Sequence, residues 1–335
     1  MAAEVVDERD ITERATVALR STFPAASIVG LTAFKRGASS ITYSADVEST
    51  GRAPTRVVVK VAPPGLDPVR NRDVLRQGRV LSSVVSGGVL VPIVFGTDAG
   101  DPPAVPPLVV MSYVDGDSFE PLRPNDVPLP TGEELRGRTE AAVDLLASLH
   151  RVDAQSVFPE EPVTTPSEEI DRWAKAFSTI DPLWVPTADV CEAALRRRVP
   201  VGERPAILHG DFRLGNLQCS GASVKAAIDW EIWSVGDPRF DLAWFCMMMD
   251  PLHPAATNEG AGLVQPVEIV ERYESISCAT VAAYPWFLAV TCFKQAAASA
   301  LLVKHGLKRG ELNERQQRLR SGLEPLLKWC LEILA

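Results

Sequence analysis

Residues 208–217 read LHGDFRLGNL, and residues 227–231 read AIDWE. Three polar side chains in these stretches, Asp211, Asn216 and Asp229, are flanked by apolar residues. The apolar flanks predict short buried strands that hold each polar group in place. Phosphoryl transfer from ATP needs such a set of groups. A carboxylate orients the attacking hydroxyl and accepts its proton, while oxygen ligands hold Mg²⁺ against the phosphates.

The spacing of these residues is that of a kinase catalytic loop. In the pattern H-R-D-x-x-x-x-N the catalytic aspartate is followed by a metal-binding asparagine. Asp211 and Asn216 have this spacing, with Gly210 in place of the arginine. Asp229 falls where the metal-binding aspartate of D-F-G lies, and Trp230-Glu231 replaces Phe-Gly. We therefore predict Asp211 as the catalytic base.

The first third of the chain supplies a candidate nucleotide site. Residues 57–61 form a β-branched run, which predicts a strand, and Lys60 near its end matches the lysine of V-A-I-K that reaches ATP phosphates. Gly37, Ser39 and Ser40 lie in a turn between two predicted strands. Backbone N–H groups and small hydroxyls suit a loop that covers phosphates. We predict that this turn contributes to ATP binding.

The order of predicted elements indicates an α+β fold with two lobes, because strands fill the first third of the chain and helices fill the remainder. We predict an N-lobe over residues 1–112, with a nucleotide-covering sheet and a helix. We predict a C-lobe over residues 113–335, with the catalytic loop, the metal site and substrate-binding helices. The predicted strands are 28–34, 41–47, 57–61, 89–95 and 108–114, and the predicted helices are 7–22, 67–85, 131–150, 168–198 and most of 266–335.

Composition narrows the class of protein. The 335 residues suggest about two domains, and a net charge of −9 argues against nucleic acid or an anionic membrane as partner.

The six cysteines form no CxxC pair, which favours free buried thiols in a reducing cytosol. Residues 1–13 lack the apolar core of a secretory signal. The longest apolar stretches, such as Phe240–Met249, are too short to span a bilayer. We expect a cytoplasmic protein.

The chain resembles the aminoglycoside phosphotransferase and choline kinase-like superfamily over about residues 25–250. It is similar in particular to the kinase-like proteins related to the N-terminal part of certain acyl-CoA dehydrogenases. The motifs that carry the resemblance are His209-Gly210-Asp211 with Asn216, Ile228-Asp229-Trp230-Glu231, Gly236-Asp237-Pro238 with Asp241-Leu242-Ala243, Ser40-Ile41-Thr42-Tyr43, and the segment from Met111 to Gly116.

This resemblance implies a bilobal protein-kinase-like fold, with a small β-rich N-lobe and a larger helical C-lobe. It also implies that the protein uses ATP and Mg²⁺. The resemblance further implies a role for each matching residue. These roles are Asp211 as base, Asn216 and Asp229 as Mg²⁺ ligands, Lys60 on the α- and β-phosphates, the backbone around Ser112 and Val114 on adenine, His209 as a brace of the catalytic loop, and Asp241 as a cap or backbone partner.

Two features depart from the resemblance. Gln77 stands where relatives place a glutamate that pairs with the strand lysine, so either Asp73 takes that role or the lysine is held less firmly. The turn before Ser40 is poor in glycine, with Arg36 and Ala38. Both departures concern ATP affinity and leave the catalytic residues intact. Glu231 has two interpretations: it assists the metal or orients a neighbour, or it pairs with an arginine.

Two classes of function follow. The first is an ATP- and Mg²⁺-dependent O-phosphotransferase that acts on a small hydroxyl compound, such as a hydroxyacyl metabolite, an aminoglycoside, or a choline- or homoserine-like alcohol. The second is a nucleotide-binding pseudokinase or regulatory module, suggested by Gln77 and the poor glycine turn. The sequence does not indicate an oligomeric state. We interpret His150 as a favourable helix end and Trp244 as core or pocket lining.

Overall fold

The computed structural model describes residues 7–34, 40–49, 55–121, 130–255 and 264–335. Within these ranges the chain forms ten α-helices and ten β-strands. The helices are α1 (Glu8–Leu19), α2 (Val74–Val84), α3 (Gly132–Arg151), α4 (Ala154–Val157), α5 (Pro166–Phe177), α6 (Ala188–Arg196), α7 (Arg239–Met249), α8 (Pro266–Ser277), α9 (Tyr284–Lys308) and α10 (Glu314–Leu334). The strands are β1 (Ser27–Ala33), β2 (Ile41–Glu48), β3 (Thr55–Val61), β4 (Val94–Asp98), β5 (Leu108–Ser112), β6 (Val163–Thr164), β7 (Ala206–Leu208), β8 (Leu217–Ser220), β9 (Ser223–Ala227) and β10 (Ser234–Gly236).

The largest sheet has five strands in the order β1-β2-β3-β5-β4, and each neighbouring pair is antiparallel. Val57, Val59 and Val61 of the central strand β3 are fully buried and share an apolar core with α1. Because side chains alternate along a strand, Lys60 points to the opposite face of the sheet. The sheet therefore separates its apolar core from the predicted nucleotide-binding lysine.

The observed elements correct three predicted ones. The predicted helix 67–85 begins only at Val74, after a short 3₁₀ turn at Arg70–Arg72. The predicted strand 89–95 begins only at Val94, because Pro92 lacks the N–H donor that a strand ladder uses. The predicted helix 168–198 is two helices, α5 and α6, with Pro182 and Pro186 in the connection. Proline cannot donate in the interior of a helix, and it therefore interrupts the helical pattern.

The chain divides into two compact units. One comprises Met1–Gly116, Gln218–Ser220 and Lys225–Trp233, and the other comprises Asp117–Leu217, Gly221–Val224 and Ser234–Ala335. The first unit carries the five-stranded sheet and the second carries helices α3 to α10. The predicted α+β class, with a β-rich first part and a helical remainder, is confirmed. The assignment of functions to residues 1–112 and 113–335 stays a prediction.

Helix α9 lies at the centre of the helical unit, where it packs against α10, α7, α5 and α6. By length and composition it is apolar enough to cross a membrane, yet 72% of its most apolar window is buried inside the protein. A core helix passes the same test. The sequence analysis took Phe240–Met249 as an example of the longest apolar stretches, and it overlooked this longer apolar helix. The six cysteines are free thiols as predicted, but Cys278 is exposed rather than buried.

Candidate active site

The catalytic-loop sequence follows a short buried strand. Strand β7 pairs antiparallel with β10, which also pairs with β6 in a three-stranded sheet. All three residues of β7 are buried, so the polar residues that follow start from a fixed position. The loop ends in a short 3₁₀ turn, Leu214–Asn216, before β8. The spacing between Asp211 and Asn216 is therefore spanned by a loop that is anchored by a strand at each end.

Gly210 adopts a backbone conformation that explains why glycine replaces the arginine of the kinase pattern. Its φ angle is +85°, in the left-handed region that side chains with a Cβ rarely adopt. Its N–H donates to Asp241 Oδ1 at 2.9 Å, and its carbonyl accepts from Lys294 Nζ at 2.7 Å. Gly210 is thus held on one side by an anion and on the other by a cation.

Asp241 holds the start of the loop from the first turn of α7. Its carboxylate accepts from the backbone N–H of His209 at 2.6 Å as well as from Gly210. Burial alone would raise the pKa of Asp241, but His150, with His209 and Lys294, lowers that pKa below its ordinary value. The carboxylate is therefore held as an anion beneath the loop.

His150 lies in the last turn of α3, as predicted, and its side chain also takes part in the polar contacts around Asp241. Its Nε2 lies 3.7 Å from Asp241 Oδ2, and its Nδ1 is 2.7 Å from the hydroxyl oxygen of Tyr273. The imidazole of His150 therefore contacts the carboxylate that binds the catalytic loop. The Nδ1 of His209 accepts from the backbone N–H of Asp211 at 3.3 Å. This contact supports the predicted role of His209 as a brace.

The carboxylate of Asp211 is held by three side chains. Its Oδ1 accepts from Trp244 Nε1 at 2.9 Å, and its Oδ2 accepts from Asn216 Nδ2 at 2.9 Å and from Arg213 Nε at 3.1 Å. The side chain of Asp211 is 25% exposed, so the carboxylate keeps access to a substrate. Such fixed partners restrict the carboxylate to one orientation, as a general base requires.

Arg213 and Glu120 form a second polar pair beside Asp211. The guanidinium of Arg213 pairs with the buried carboxylate of Glu120 as well as with Asp211. Burial disfavours the charged form of Arg213, but the carboxylates of Asp211 and Glu120 raise its pKa above the ordinary value. A positive charge is thereby maintained next to the predicted base.

Asn216 is predicted to be a Mg²⁺ ligand. Its amide nitrogen donates to the backbone oxygen and to the carboxylate of Asp211, each at 2.9 Å, so that a metal ion would use its amide oxygen. Asn216 and Asp229 belong to different compact units. Among the described residues no cluster of three or more His, Cys, Asp or Glu forms a metal cage. The amide oxygen of Asn216 and the carboxylate of Asp229 are each of the ligand type that Mg²⁺ prefers.

In the sheet-bearing unit, Lys60 meets Asp229. Lys60 Nζ lies 3.7 Å from Asp229 Oδ1. Asp229 has a φ angle of +67°, a left-handed conformation that aspartate adopts more readily than most residues. The buried indole of Trp230 donates to the carbonyl of Ala227 at 3.0 Å and so fixes this turn. Asp229 therefore lies in a turn that follows the end of β9 at Ala227.

The side chain of Gln77 is used within its own segment. Its Nε2 donates to the carbonyl of Asn71 at 3.1 Å. Asp73 caps α2 by accepting from the N–H of Arg76 at 2.9 Å. The carboxylate that pairs with Lys60 is that of Asp229. In the described part of the chain, Asp73 does not take the place of the missing glutamate.

The remaining predicted residues lie at several places. The N–H of Ser112 donates to the carbonyl of Ile93 at 2.8 Å, and the hydroxyl oxygen of Ser112 accepts from the N–H of Ile93 at 2.9 Å. A contact with adenine would therefore use the carbonyl of Ser112. Val114 is half-buried and Ser40 is buried beside β2. Glu231 is half-buried, and both of its interpretations stay open. Gly37 and Ser39 lie outside the described residues.

Sequence reasoning missed several residues around Asp211. The sequence could have indicated Arg213, because it lies two residues after the predicted base. It could also have indicated Lys294, which is the one charged residue in the apolar run 286–303 of α9. Trp244 and Glu120 carry no local signal, because they approach Asp211 from distant parts of the chain.

Solved structures share this fold. A Ralstonia eutropha JMP134 protein assigned to the aminoglycoside phosphotransferases matches with a TM-score of 0.79 and 20% identity, covering 96% of this chain and 98% of that one. Aminoglycoside phosphotransferase APH(4)-Ia, in complex with ADP and hygromycin B, matches with a TM-score of 0.62 and 12% identity, covering 97% and 99%. Spectinomycin phosphotransferase APH(9)-Ia, with ADP and spectinomycin, gives 0.62 and 11%, covering 98% and 99%. The fold is therefore the kinase-like fold of aminoglycoside phosphotransferases, as predicted.

The phosphotransferase enzyme family matches residues 30–265, and the chain belongs to this family. Acyl-CoA dehydrogenase family member 10 of Mus musculus is 27% identical over 222 residues, which are 64% of this chain and 20% of that protein. Acyl-CoA dehydrogenase family member 11 of Homo sapiens is 24% identical over 264 residues, 71% of this chain and 32% of that protein. The chain spans between 20% and 40% of the length of the curated relatives it matches. Both predicted resemblances are confirmed.

Proposed function

We propose that the protein transfers the γ-phosphate of ATP, with Mg²⁺, to a hydroxyl group of a small molecule. The observation that carries the proposal is the carboxylate of Asp211, which Trp244 and Asn216 each hold at 2.9 Å in a loop with the kinase spacing. A carboxylate that is oriented and partly exposed suits a general base. Membership of the phosphotransferase enzyme family supports the same reaction class.

In the proposed reaction the acceptor oxygen attacks the γ-phosphorus. A bond forms between these two atoms, the bond from the γ-phosphorus to the β,γ-bridging oxygen breaks, and ADP leaves. Asp211 orients the acceptor hydroxyl and takes its proton. Asn216 and Asp229 would hold Mg²⁺, which when bound neutralises charge on the phosphates. Arg213 adds a positive charge beside Asp211.

The nucleotide is proposed to bind the sheet-bearing unit. Lys60 would contact the α- and β-phosphates, and its pairing with Asp229 at 3.7 Å supports a common location for phosphate and metal. The sequence-predicted turn with Gly37, Ser39 and Ser40 is proposed to cover the phosphates. The backbone at Ser112 and Val114 is proposed to bind adenine. We also infer that the protein acts without a nucleic-acid partner, on the basis of its net charge of −9, and in the cytoplasm, on the basis of its free thiols.

Two acceptor classes are supported by different observations. The relatives named as acyl-CoA dehydrogenase family members favour a hydroxyacyl compound. The structural neighbours that hold hygromycin B and spectinomycin, together with the acidic charge of this chain, favour a cationic aminoglycoside. Both classes present a hydroxyl to a base, so the proposed chemistry is the same for each.

A nucleotide-binding protein without transferase activity is the second candidate. It is favoured by Gln77, whose amide bonds to Asn71 and which cannot neutralise the charge of Lys60. Retention of the base and of both proposed metal ligands favours the enzyme.

The test is release of ADP from Mg²⁺-ATP across a panel of hydroxyacyl-CoAs, aminoglycosides, choline and homoserine. Acceptor-dependent release that stops on chelation of Mg²⁺ is the expected result, and the acceptor that stimulates it identifies the substrate class. Tight binding of Mg²⁺-ATP with no stimulation by any acceptor would favour the nucleotide-binding alternative. Absence of nucleotide binding would refute both functions.

A further inference from the structure

Lys294 is a charged residue within an apolar helix. It lies near the middle of α9, whose neighbouring residues Thr291, Cys292 and Phe293 are buried in the core of the helical unit. Removal of its ammonium from water lowers the pKa of Lys294, while Glu169 and Asp241 oppose this effect. An ammonium placed here loses hydration, and specific polar contacts must replace what the apolar neighbours cannot supply.

The contacts of Lys294 in the described part of the chain converge on Asp211. Its Nζ donates to the carbonyl of Gly210, the residue before Asp211, at 2.7 Å. The same Nζ lies 4.6 Å from the centre of the Trp244 ring, a cation–π contact. The indole of Trp244 in turn donates to Asp211 Oδ1 at 2.9 Å. One ammonium therefore contacts both the backbone that carries Asp211 and the side chain that orients its carboxylate.

We propose that Lys294 is a positioning residue that fixes the orientation of Asp211 for phosphoryl transfer. The proposal rests on the proposed function, in which Asp211 is the base. Lys294 holds the carbonyl of the Gly210–Asp211 peptide, whose N–H is held by His209, at a glycine that could otherwise adopt several conformations. It also fixes the plane of the Trp244 ring, so that the indole N–H points at the carboxylate. Small displacements of a base from its productive geometry lower the rate strongly.

The chain provides a matched control on the same helix. Lys304 also lies on α9, and its Nζ donates to a backbone carbonyl, that of Thr179, at 2.6 Å. Thr179 belongs to the connection after α5 and to no part of the catalytic loop. If lysines of α9 serve only to attach the helix to its neighbours, then Lys294→Met and Lys304→Met should have similar effects.

The experiment compares Lys294→Met, Lys294→Arg and Lys304→Met with the wild-type protein. Steady-state kinetics give kcat and the KM for ATP, and a ¹⁵N–¹H spectrum reports the indole N–H of Trp244, assigned by its loss in Trp244→Phe. We expect Lys294→Met to lower kcat by at least about tenfold, with the KM for ATP within about twofold, because the loss falls on the transition state. Lys294→Arg should recover part of kcat, and Lys304→Met should change neither kcat nor the indole resonance.

A further substitution separates positioning from general destabilisation. In an Asp211→Asn background, Lys294→Met should lower the residual rate by less than about twofold, since residues that act as one unit are not additive. A full additional loss in this background would contradict the proposal. A fall of kcat in Lys304→Met equal to that in Lys294→Met would also contradict it.

The indole resonance decides the proposal without any activity. If no acceptor supports turnover by the wild-type protein, the proposed function fails, and a shift of the Trp244 resonance together with faster hydrogen exchange of this N–H in Lys294→Met still establishes that Lys294 positions the group bonded to Asp211. An unchanged resonance refutes that positioning. If Lys294→Met does not fold, Lys294→Arg takes its place, because a guanidinium has a different shape and should also displace the resonance.

Discussion

The ammonium of Lys60 lies 3.7 Å from the carboxylate of Asp229, although one residue is in the central strand of the sheet and the other follows β9. This pair supplies the opposite charge that Gln77 does not provide. In the proposed nucleotide site the lysine attracts a phosphate and the aspartate attracts a metal ion. The predicted contribution of the pair is to nucleotide affinity.

Lys60→Met is expected to weaken Mg²⁺-ATP binding by about 10- to 100-fold, the loss expected when one hydrogen bond to a charged group is removed. Isothermal titration calorimetry measures this affinity directly. Lys225→Met is the control, since Lys225 is an exposed strand residue of the same unit. Equal affinity in Lys60→Met and in the control would remove Lys60 from the nucleotide site.

Gly210→Ala is expected to destabilise the fold by about 1–3 kcal/mol, because a residue with a Cβ is strained at a φ angle of +85°. It should also abolish most of the turnover, since the loop must shift to relieve the strain. Gly221→Ala is a matched control, because Gly221 also has a positive φ angle, +55°, in the turn between β8 and β9. Denaturant unfolding should show a loss in both variants. A comparable loss of turnover in both would contradict a specific role for Gly210.

Trp244→Phe is expected to lower kcat while leaving ATP affinity unchanged. The substitution keeps a ring beside Lys294 but removes the N–H that bonds to Asp211 at 2.9 Å. We expect a decrease of about tenfold, equivalent to one hydrogen bond to a charged group. Trp286→Phe is the control, because it removes a buried indole hydrogen bond of 3.0 Å to the carbonyl of Leu195. Equal decreases in the two variants would indicate a general packing effect.

Asp250→Asn is expected to stabilise the protein at neutral pH. Burial raises the pKa of Asp250, so the folded state binds a proton more tightly than the unfolded state. Stability is then present at low pH and is lost as pH rises through the folded-state pKa. Asparagine keeps an oxygen that accepts from the N–H of Leu252, a bond of 2.8 Å in the wild-type protein, and it cannot ionise.

Thermal melting at a series of pH values measures this effect. The difference between Asp250→Asn and the wild-type protein should grow from about pH 4 towards pH 7, since the ordinary carboxyl pKa is near 3.9. Asp181→Asn serves as the control, because the exposed Asp181 also accepts from the N–H two residues later. A difference for Asp250→Asn that does not change with pH would contradict the assignment.

Local patterns predicted the parts of the site that lie close together in sequence. The loop from His209 to Asn216 and the β-branched strand that ends near Lys60 are each specified by neighbouring residues. Lys294 and Trp244 could not be placed in this way, because spacing along the chain does not show which helix faces a loop. The need for glycine at position 210 became evident only from its φ angle.

Proline lies in two of the regions where the predicted elements were wrong. The apolar run 89–95 matches a strand by composition, but Pro92 lacks the donor that pairing requires, and β4 starts at Val94. In the region 168–198, Pro182 and Pro186 separate α5 from α6. The apolar pattern predicted these stretches as continuous elements, and the prolines within them mark segments that are not part of a helix or strand.

The most direct test of the central claim is transfer of the γ-phosphate from labelled ATP to the acceptor that the panel identifies, with Asp211→Asn beside the wild-type protein. We expect Asp211→Asn to transfer label about 10²- to 10⁴-fold more slowly, the usual contribution of a general base, while its affinity for Mg²⁺-ATP stays within about threefold because the substitution is isosteric. Asp189→Asn, at an exposed position on α6, should transfer label at the wild-type rate. Transfer by Asp211→Asn at the wild-type rate would contradict the assignment of Asp211 as the catalytic base.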